Sequence, residues 1–355
     1  MRQDVHRGVP IEPGEPTDVE VRRILAEQLD RAARSLRADG GPDAEAVHDV
    51  RKRLKKARSV LRLARSDLGP AVARHANGEL RQVGVDLAQQ RDADALVEAV
   101  DRLVASSDVA GPGADRRPNP TSVEALAVVR GLLVERADRV RTGGAVDRRS
   151  ALSAARTLDQ STNWLCLVPA QATGWAALDP GLTRQYRRGR RAYLDLPEQP
   201  TVEALHEWRK RVKDLWYHQR LLRQLWSDAQ EPVIATAHEL SDLLGDDHDL
   251  GSLIAHVGAH HPEIGPDLRL GAAPVEPVPV NDQVRDLVAA EASGERRRLQ
   301  TRARWLGARL YADAPPAWGE RHRAWWEAAC QDIRPARAER STGLDAVLPN
   351  AEDTM

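Results

Sequence analysis

The stretch AVHDVRKRLKKARSVLRLAR, Ala46–Arg65, decides the fold. Val47, Val50, Leu54, Ala57, Leu61 and Ala64 recur at three- and four-residue steps, the apolar stripe of an amphipathic helix. His48, Arg51, Lys52, Lys55, Arg58, Arg62 and Arg65 form a basic stripe beside it, and Lys56 adds to it. From Arg51 to Arg65 there are eight Lys/Arg and no acid. Like charges one helical turn apart repel by a few tenths of a kcal/mol per pair, so a solvated face normally mixes signs. Repulsion kept up over four turns implies a polyanion, or an acidic helix, facing the stripe.

The pattern occurs twice. ALHEWRKRVKDLWYHQRLLR, Ala204–Arg223, repeats His, acid, apolar residue, Arg-Lys-Arg, apolar residue and Lys, with His206 lying 158 residues after His48. Leu205, Trp208, Val212, Leu215 and Leu222 carry its apolar stripe, and His206, Arg209, Lys210, Lys213, Arg220 and Arg223 its basic one. Further on, LAQQRDADAL (Leu87–Leu96) aligns with LGDDHDLGSL (Leu244–Leu253) at an offset of 157. Two segments repeating in order at nearly one offset indicate internal duplication, at a period too long for a solenoid. The five lysines all fall in the two windows, at 52, 55, 56, 210 and 213, against 47 arginines spread along the chain. Lysine is a compact, flexible point charge and arginine a rigid fork, so a site gripping oxygens in varied geometry can use both.

The remaining periodic stretches also read as helix: Val19–Arg37, Ala71–Val104, Val123–Val140, Ser150–Leu165, Leu182–Leu194, Val233–Val257, Val284–Tyr311 and Pro316–Ile333. Gly- and Pro-rich interruptions separate them, including a long loop from His261 to Pro279. The expected class is all-α, with two similar bundles. The expected division is a flexible acidic arm over 1–17, a first bundle over 18–142, a second over 143–335 and a flexible tail over 336–355.

The 355 residues carry 52 Lys+Arg against 53 Asp+Glu, which excludes a uniformly basic nucleic-acid coat. Charge is segregated within that neutral total. Arg184–Tyr193 has five arginines and no acid, and Arg296, Arg297, Arg298, Arg302, Arg304 and Arg309 form a third basic run. His238–Asp249 has five acids and no Lys/Arg. Asp246-Asp247-His248-Asp249 reads as internal ion pairing rather than a metal site, because its repeat mate is Gln89-Gln90-Arg91-Asp92 and only Asp249 keeps its identity, opposite Asp92. Cys166 and Cys330 match no metal spacing and suggest no disulfide framework, as in a reducing cytoplasm. No apolar run approaches the roughly 18 residues that span a bilayer, and the first residues have no signal-peptide core, so a cytoplasmic protein off the membrane is expected. Phenylalanine is absent, so the nine tryptophans are expected to supply core bulk; Trp208, Trp216, Tyr217 and Trp226 read as packing residues.

Two His-x-x-Arg-x-x-x-Lys helices, each followed by a Leu-rich helix with an Arg/His-Asp step, resemble the conserved histidine α-helical domain, CHAD, over roughly Val19 to Asp332. The resemblance implies two four-helix bundles related by a pseudo-twofold axis, with a basic groove or pore between them. It also implies binding of inorganic polyphosphate and recruitment to polyphosphate granules, without catalysis or a cofactor. The family pattern maps onto His48, Arg51, Lys55, Lys56 and Arg58 in the first half and onto His206, Arg209, Lys210 and Lys213 in the second. Lys52, Arg62 and Arg220 extend the two stripes, and Arg187, Arg188 and Arg191 belong to an RRGRR stretch that also resembles the family. Asp214 and Trp216 stand where further basic residues are common, which makes the second stripe the weaker. The residues before Val19 are too few for the triphosphate-tunnel domain often fused to this family, so its hydrolase activity is not expected.

The leading expectation is therefore non-catalytic polyphosphate binding through basic helix faces, with granule-associated proteins as further partners. A metal-dependent phosphohydrolase is the enzyme alternative, motivated by His48-Asp49 and His248-Asp249. A nucleic-acid backbone binder is the third, disfavoured because the first basic stripe carries no aromatic stacking platform.

Overall fold

The computed structural model describes residues 10–38, 41–87, 91–108, 120–143, 147–258, 269–270, 273–274 and 278–345. Their order is α1 (Thr17–Leu36), α2 (Ala44–Leu63), α3 (Arg65–Leu68), α4 (Pro70–Asp86), α5 (Arg91–Asp108), α6 (Pro120–Gly143) and α7 (Arg148–Leu167). Then come α8 (Trp175–Leu194), α9 (Val202–Leu221), a 3-10 turn (Arg223–Leu225), α10 (Ser227–Gly258), α11 (Asp282–Leu310) and α12 (Pro315–Asp345). The chain is all-α. A two-residue antiparallel ladder, β1 (Arg269–Leu270) with β2 (Ala273–Pro274), lies inside the expected long loop.

The motif helices begin in the same way. Asp43 accepts the Ala46 N–H at 2.7 Å to cap α2, and Thr201 accepts the Ala204 N–H at 3.2 Å to cap α9. Glu45 and Glu203 sit in the first turns, where the positive end of the helix dipole favours them. The stretch read as one helix from Ala71 to Val104 divides into α4 and α5, with 88–90 outside the described residues; its counterpart α10 is continuous over 32 residues. Helix α8 starts seven residues before the expected Leu182 and carries Pro180 inside it. Helix α12 runs ten residues into the segment expected to be a flexible tail, and 346–355 lie outside the described residues.

Packing follows one scheme in both runs of helices. α1 lies against α2 and α7, and α2 against α4; α8 lies against α9 and α12, and α9 against α10. The cores, however, are not confined to the two sequence halves. The larger holds Leu25, Leu29, Leu54, Leu61, Leu158, Leu182, Trp208, Leu240, Leu306 and Trp318, drawn from both halves of the chain but not from α5 or α6. The smaller joins Leu96, Val100, Leu126 and Leu133 of α5 and α6 to Leu250, Leu253, Val288 and Ala292 of α10 and α11. Helix α7, placed by sequence beyond the 142/143 division, packs on α1 and α4, while α5 and α6 pack on α10 and α11.

Aromatic side chains do fill the larger core. Trp208 and Tyr186 are fully buried, and Tyr186 stacks on Trp318 with ring centroids 4.2 Å apart. Trp226 departs from the expected packing role: it is 54 % exposed and meets Trp325 edge-on. Gly181 lets α8 close on the end of α2, since a Cβ there would stand 1.8 Å from the Leu63 carbonyl oxygen.

Candidate anion-binding site

The site grows from the crossing of α2 and α9. Ser59 and His218 are buried where the helices meet, and the His218 Nε2–H donates to the Ser59 carbonyl at 3.0 Å. Burial pushes the His218 imidazole down to about 4, so the ring is neutral at pH 7. On α2, Arg58 and Arg62 project to one side of Ser59 and Lys56 to the other, as 3.6 residues per turn requires.

On the first side four arginines gather about one carboxylate. Arg62 Nη2 donates to Asp214 Oδ1 at 2.5 Å, and Arg211 Nη1 lies 3.8 Å from Oδ2. Arg58 Nε and Arg62 Nη1 both donate to Asn77 Oδ1 of α4 at 3.1 Å. Burial pushes Arg58 down to about 10, with the Arg62 charge adding to it, so the guanidinium stays protonated at neutral pH. Arg188 of α8 is lowered by burial and then by Arg211, and it also feels Asp214 and Arg62. Cations from α2, α8 and α9 thus outnumber the single buried acid. Such a cluster is costly in isolation and is stabilised by an anion with several oxygens.

On the second side Lys56 faces Arg220. Burial lowers the Lys56 pKa first, and the Arg220 and Arg53 charges lower it further. Arg220 is likewise lowered, by burial above all. Both side chains border a cavity of about 30 Å³ with Ile24, Gln28, Val60, Tyr217 and Leu221. Arg220 also lies over the Trp216 ring, 5.0 Å from its centroid.

The remaining residues singled out by sequence distribute as follows. His48, Arg51, Lys52 and Lys55 are half-buried on successive turns of α2, on the face that continues into Arg58 and Arg62. Arg187, Arg188 and Arg191 are exposed on α8, and Arg191 pairs with Asp195 at 3.2 Å. The head of the second stripe does not join the arginine cluster. His206 packs its ring on His248 of α10, centroids 4.5 Å apart, and burial, with His248 adding, holds it near 4. The Arg209 guanidinium lies over Gly245 of α10, where a Cβ would stand 2.5 Å from Nη2. Lys210 pairs with Glu207 at 2.5 Å, and Lys213 is half-buried on the same face of α9 as Arg209.

Two cluster arginines escaped the sequence reading. Arg211 ends the Arg-Lys-Arg triplet shared by both motifs, so the signal was present. Arg81 of α4, which also presses on Arg58 electrostatically, stands in no motif. The acidic stretch of α10 is taken up internally. Asp247 is buried and receives Arg296 at 3.1 and 3.2 Å and Gln300 at 2.7 Å, while Arg102 holds Asp246 at 3.3 Å and Asp249 at 3.1 Å. The Gln89-Gln90 part of its repeat mate lies outside the described residues. Among the described residues no group of three His, Cys, Asp or Glu is arranged to hold a metal, both cysteines are free, and no helix is long and apolar enough to cross a membrane.

The family model of the CHAD domain matches residues 23–257, which contain both motif helices and the whole arginine cluster. The chain belongs to the CHAD domain family. Among solved structures it is similar to PptA from Streptomyces chartreusis, with 17% sequence identity and a TM-score of 0.54 over 84% of this chain and 100% of that chain. At that identity the likeness shows the fold. No curated protein matches the chain. The CHAD span ends within α10, so α11 and α12 lie beyond it.

Proposed function

We propose that this CHAD protein binds inorganic polyphosphate through the cations of α2, α8 and α9 without transforming it. One observation carries the reading: Arg62 and Arg211 contact the Asp214 carboxylate while Arg58 and Arg188 stand within reach of its charge, an excess of positive charge at a helix crossing. A linear anion with a charge on every unit and no bases to read needs cations at short intervals, which Arg51, Lys52, Lys55, Arg58 and Arg62 supply along α2, with the His48 imidazole as a hydrogen-bond donor at their head. Lys56 and Arg220 supply a second pair across the crossing. Granule association follows if the bound polymer is granular polyphosphate. The carboxylates that a metal-dependent hydrolase would recruit are engaged with Arg102, Arg296 and Gln300, which favours binding over hydrolysis.

Calorimetric titration with long-chain polyphosphate tests this. Taking about six phosphate contacts and single-strand behaviour, log affinity falls with log salt at a slope near −4, a loss of roughly 10²- to 10³-fold between 50 and 200 mM salt. Duplex DNA at equal phosphate concentration is expected to leave the bound polymer in place. Absence of saturable binding, or displacement by DNA at parity, overturns the reading. Orthophosphate release with Mn²⁺ or Mg²⁺ would instead make the protein an enzyme.

A further inference from the structure

We infer that Asp214 is an internal competitor for the phosphate polymer: its carboxylate occupies Arg62 in the empty protein, and a phosphoryl group must take that arginine from it. The inference rests on the polyphosphate reading and deepens it. Asp214 is buried on α9, accepts from Arg62 of α2 at 2.5 Å and has Arg211 at 3.8 Å, while Arg58 and Arg188 both feel its charge. It is the sole carboxylate in contact with these arginines through a described ion pair on this side of the crossing, apart from Glu207, which Lys210 and Arg211 share at the outer edge. A buried carboxylate with two oxygens offers guanidinium the same planar, charge-assisted contact that a phosphoryl group offers.

The repeat supplies an internal control. Asp214 stands 158 residues after Lys56, and Arg220 158 residues after Arg62. Each motif therefore sends an arginine across the crossing to the partner's middle turn. One meets an acid, as Arg62–Asp214; the other meets a cation, as Arg220 beside Lys56. A ligand therefore finds a carboxylate already in contact with one crossing arginine, and at the other corner two cations on which Asp49 and Glu231 act only at longer range. The asymmetry sets both affinity and the polarity of the groove.

The test is a double-mutant cycle on the full chain with long-chain polyphosphate as the probe. Asp214→Asn keeps the shape and removes the charge; it is expected to tighten binding severalfold and to steepen the log–log salt slope by up to about one. Arg62→Gln is expected to cost the parent only about twofold, because the polymer must there displace Asp214 to reach this arginine, and to cost more in the Asp214→Asn background, where it cancels the gain. A purely structural Asp214 would show the opposite: a folded Asp214→Asn protein that binds no better than the parent, and Arg62→Gln costing the same in both backgrounds. Either result overturns the inference. Should Asp214→Asn fail to fold, Arg62→Gln alone decides, because a large loss of affinity in the parent means that Arg62 was available to the polymer. If the parent binds no polyphosphate, the functional reading itself falls.

Discussion

His218 shows what a single side chain contributes at the crossing. It is fully buried, its Nε2–H serves the Ser59 carbonyl, and no described carboxylate pairs with it, so protonation would strand a charge in the core. His322 is in the same position, buried between the Trp318 carbonyl at 2.8 Å and the Gln219 amide at 3.0 Å, and burial holds it near 4 as well. An ordinary histidine titrates near 6.5. Between pH 6.5 and 4 the unfolded chain therefore binds protons that the folded chain does not, and stability falls as pH drops through that window. At the steepest point each histidine contributes about 1.4 kcal/mol per pH unit. Urea-unfolding midpoints at pH 7.0, 5.5 and 4.5 should decline in that order, and a flat profile would contradict the burial of these rings. His206, packed on His248 but partly exposed, adds a smaller share of the same sign.

At the scale of elements, the closeness of α8 to α2 depends on Gly181. Gly181→Ala drives a Cβ into the Leu63 carbonyl, a backbone atom that cannot turn aside, so the variant is expected to lose several kcal/mol or not to fold. Gly78→Ala, on α4 with nothing within 4 Å of the new Cβ, is expected to gain about 0.5–1 kcal/mol from helix propensity. Thermal melts of the pair separate close approach from propensity, and equal effects would deny the contact. Much at this scale was legible in the residues. The apolar steps of Val47, Val50, Leu54 and Ala57 placed α2, and Arg-Lys-Arg marked both basic stripes. The pairings were not legible. Arg62 meets Asp214 152 residues on, and Arg102 meets Asp249 147 residues on; no local period encodes such distances. Nor could the stripe on α9 be read as split, because its helix period is intact. His206 packs on His248 and Arg209 lies over Gly245, both on α10, so the head of the stripe is spent away from the arginine cluster, about 12 Å along the helix from Asp214 for His206.

For the whole molecule, the sequence pointed to an all-α chain written in two related passages, and the chain is all-α. What patterning alone could not reveal is how the passages share their interiors. Apolar stripes say that a face is buried, not which partner buries it. Leu96, Val100 and Leu126 from the first passage close against Leu250, Leu253 and Val288 from the second, and Leu158 of α7 returns to the company of α1. One consequence concerns how the polypeptide could be cut. Residues 1–142 alone would leave the mates of α5 and α6 missing and α1 uncovered where α7 belongs, so that piece should emerge as an aggregating, poorly helical product, as should 143–355. Mixed during refolding, the two pieces should complement one another and regain helicity measurable by circular dichroism. A gene fusion or truncation that respected the apparent midpoint would therefore yield no independent module.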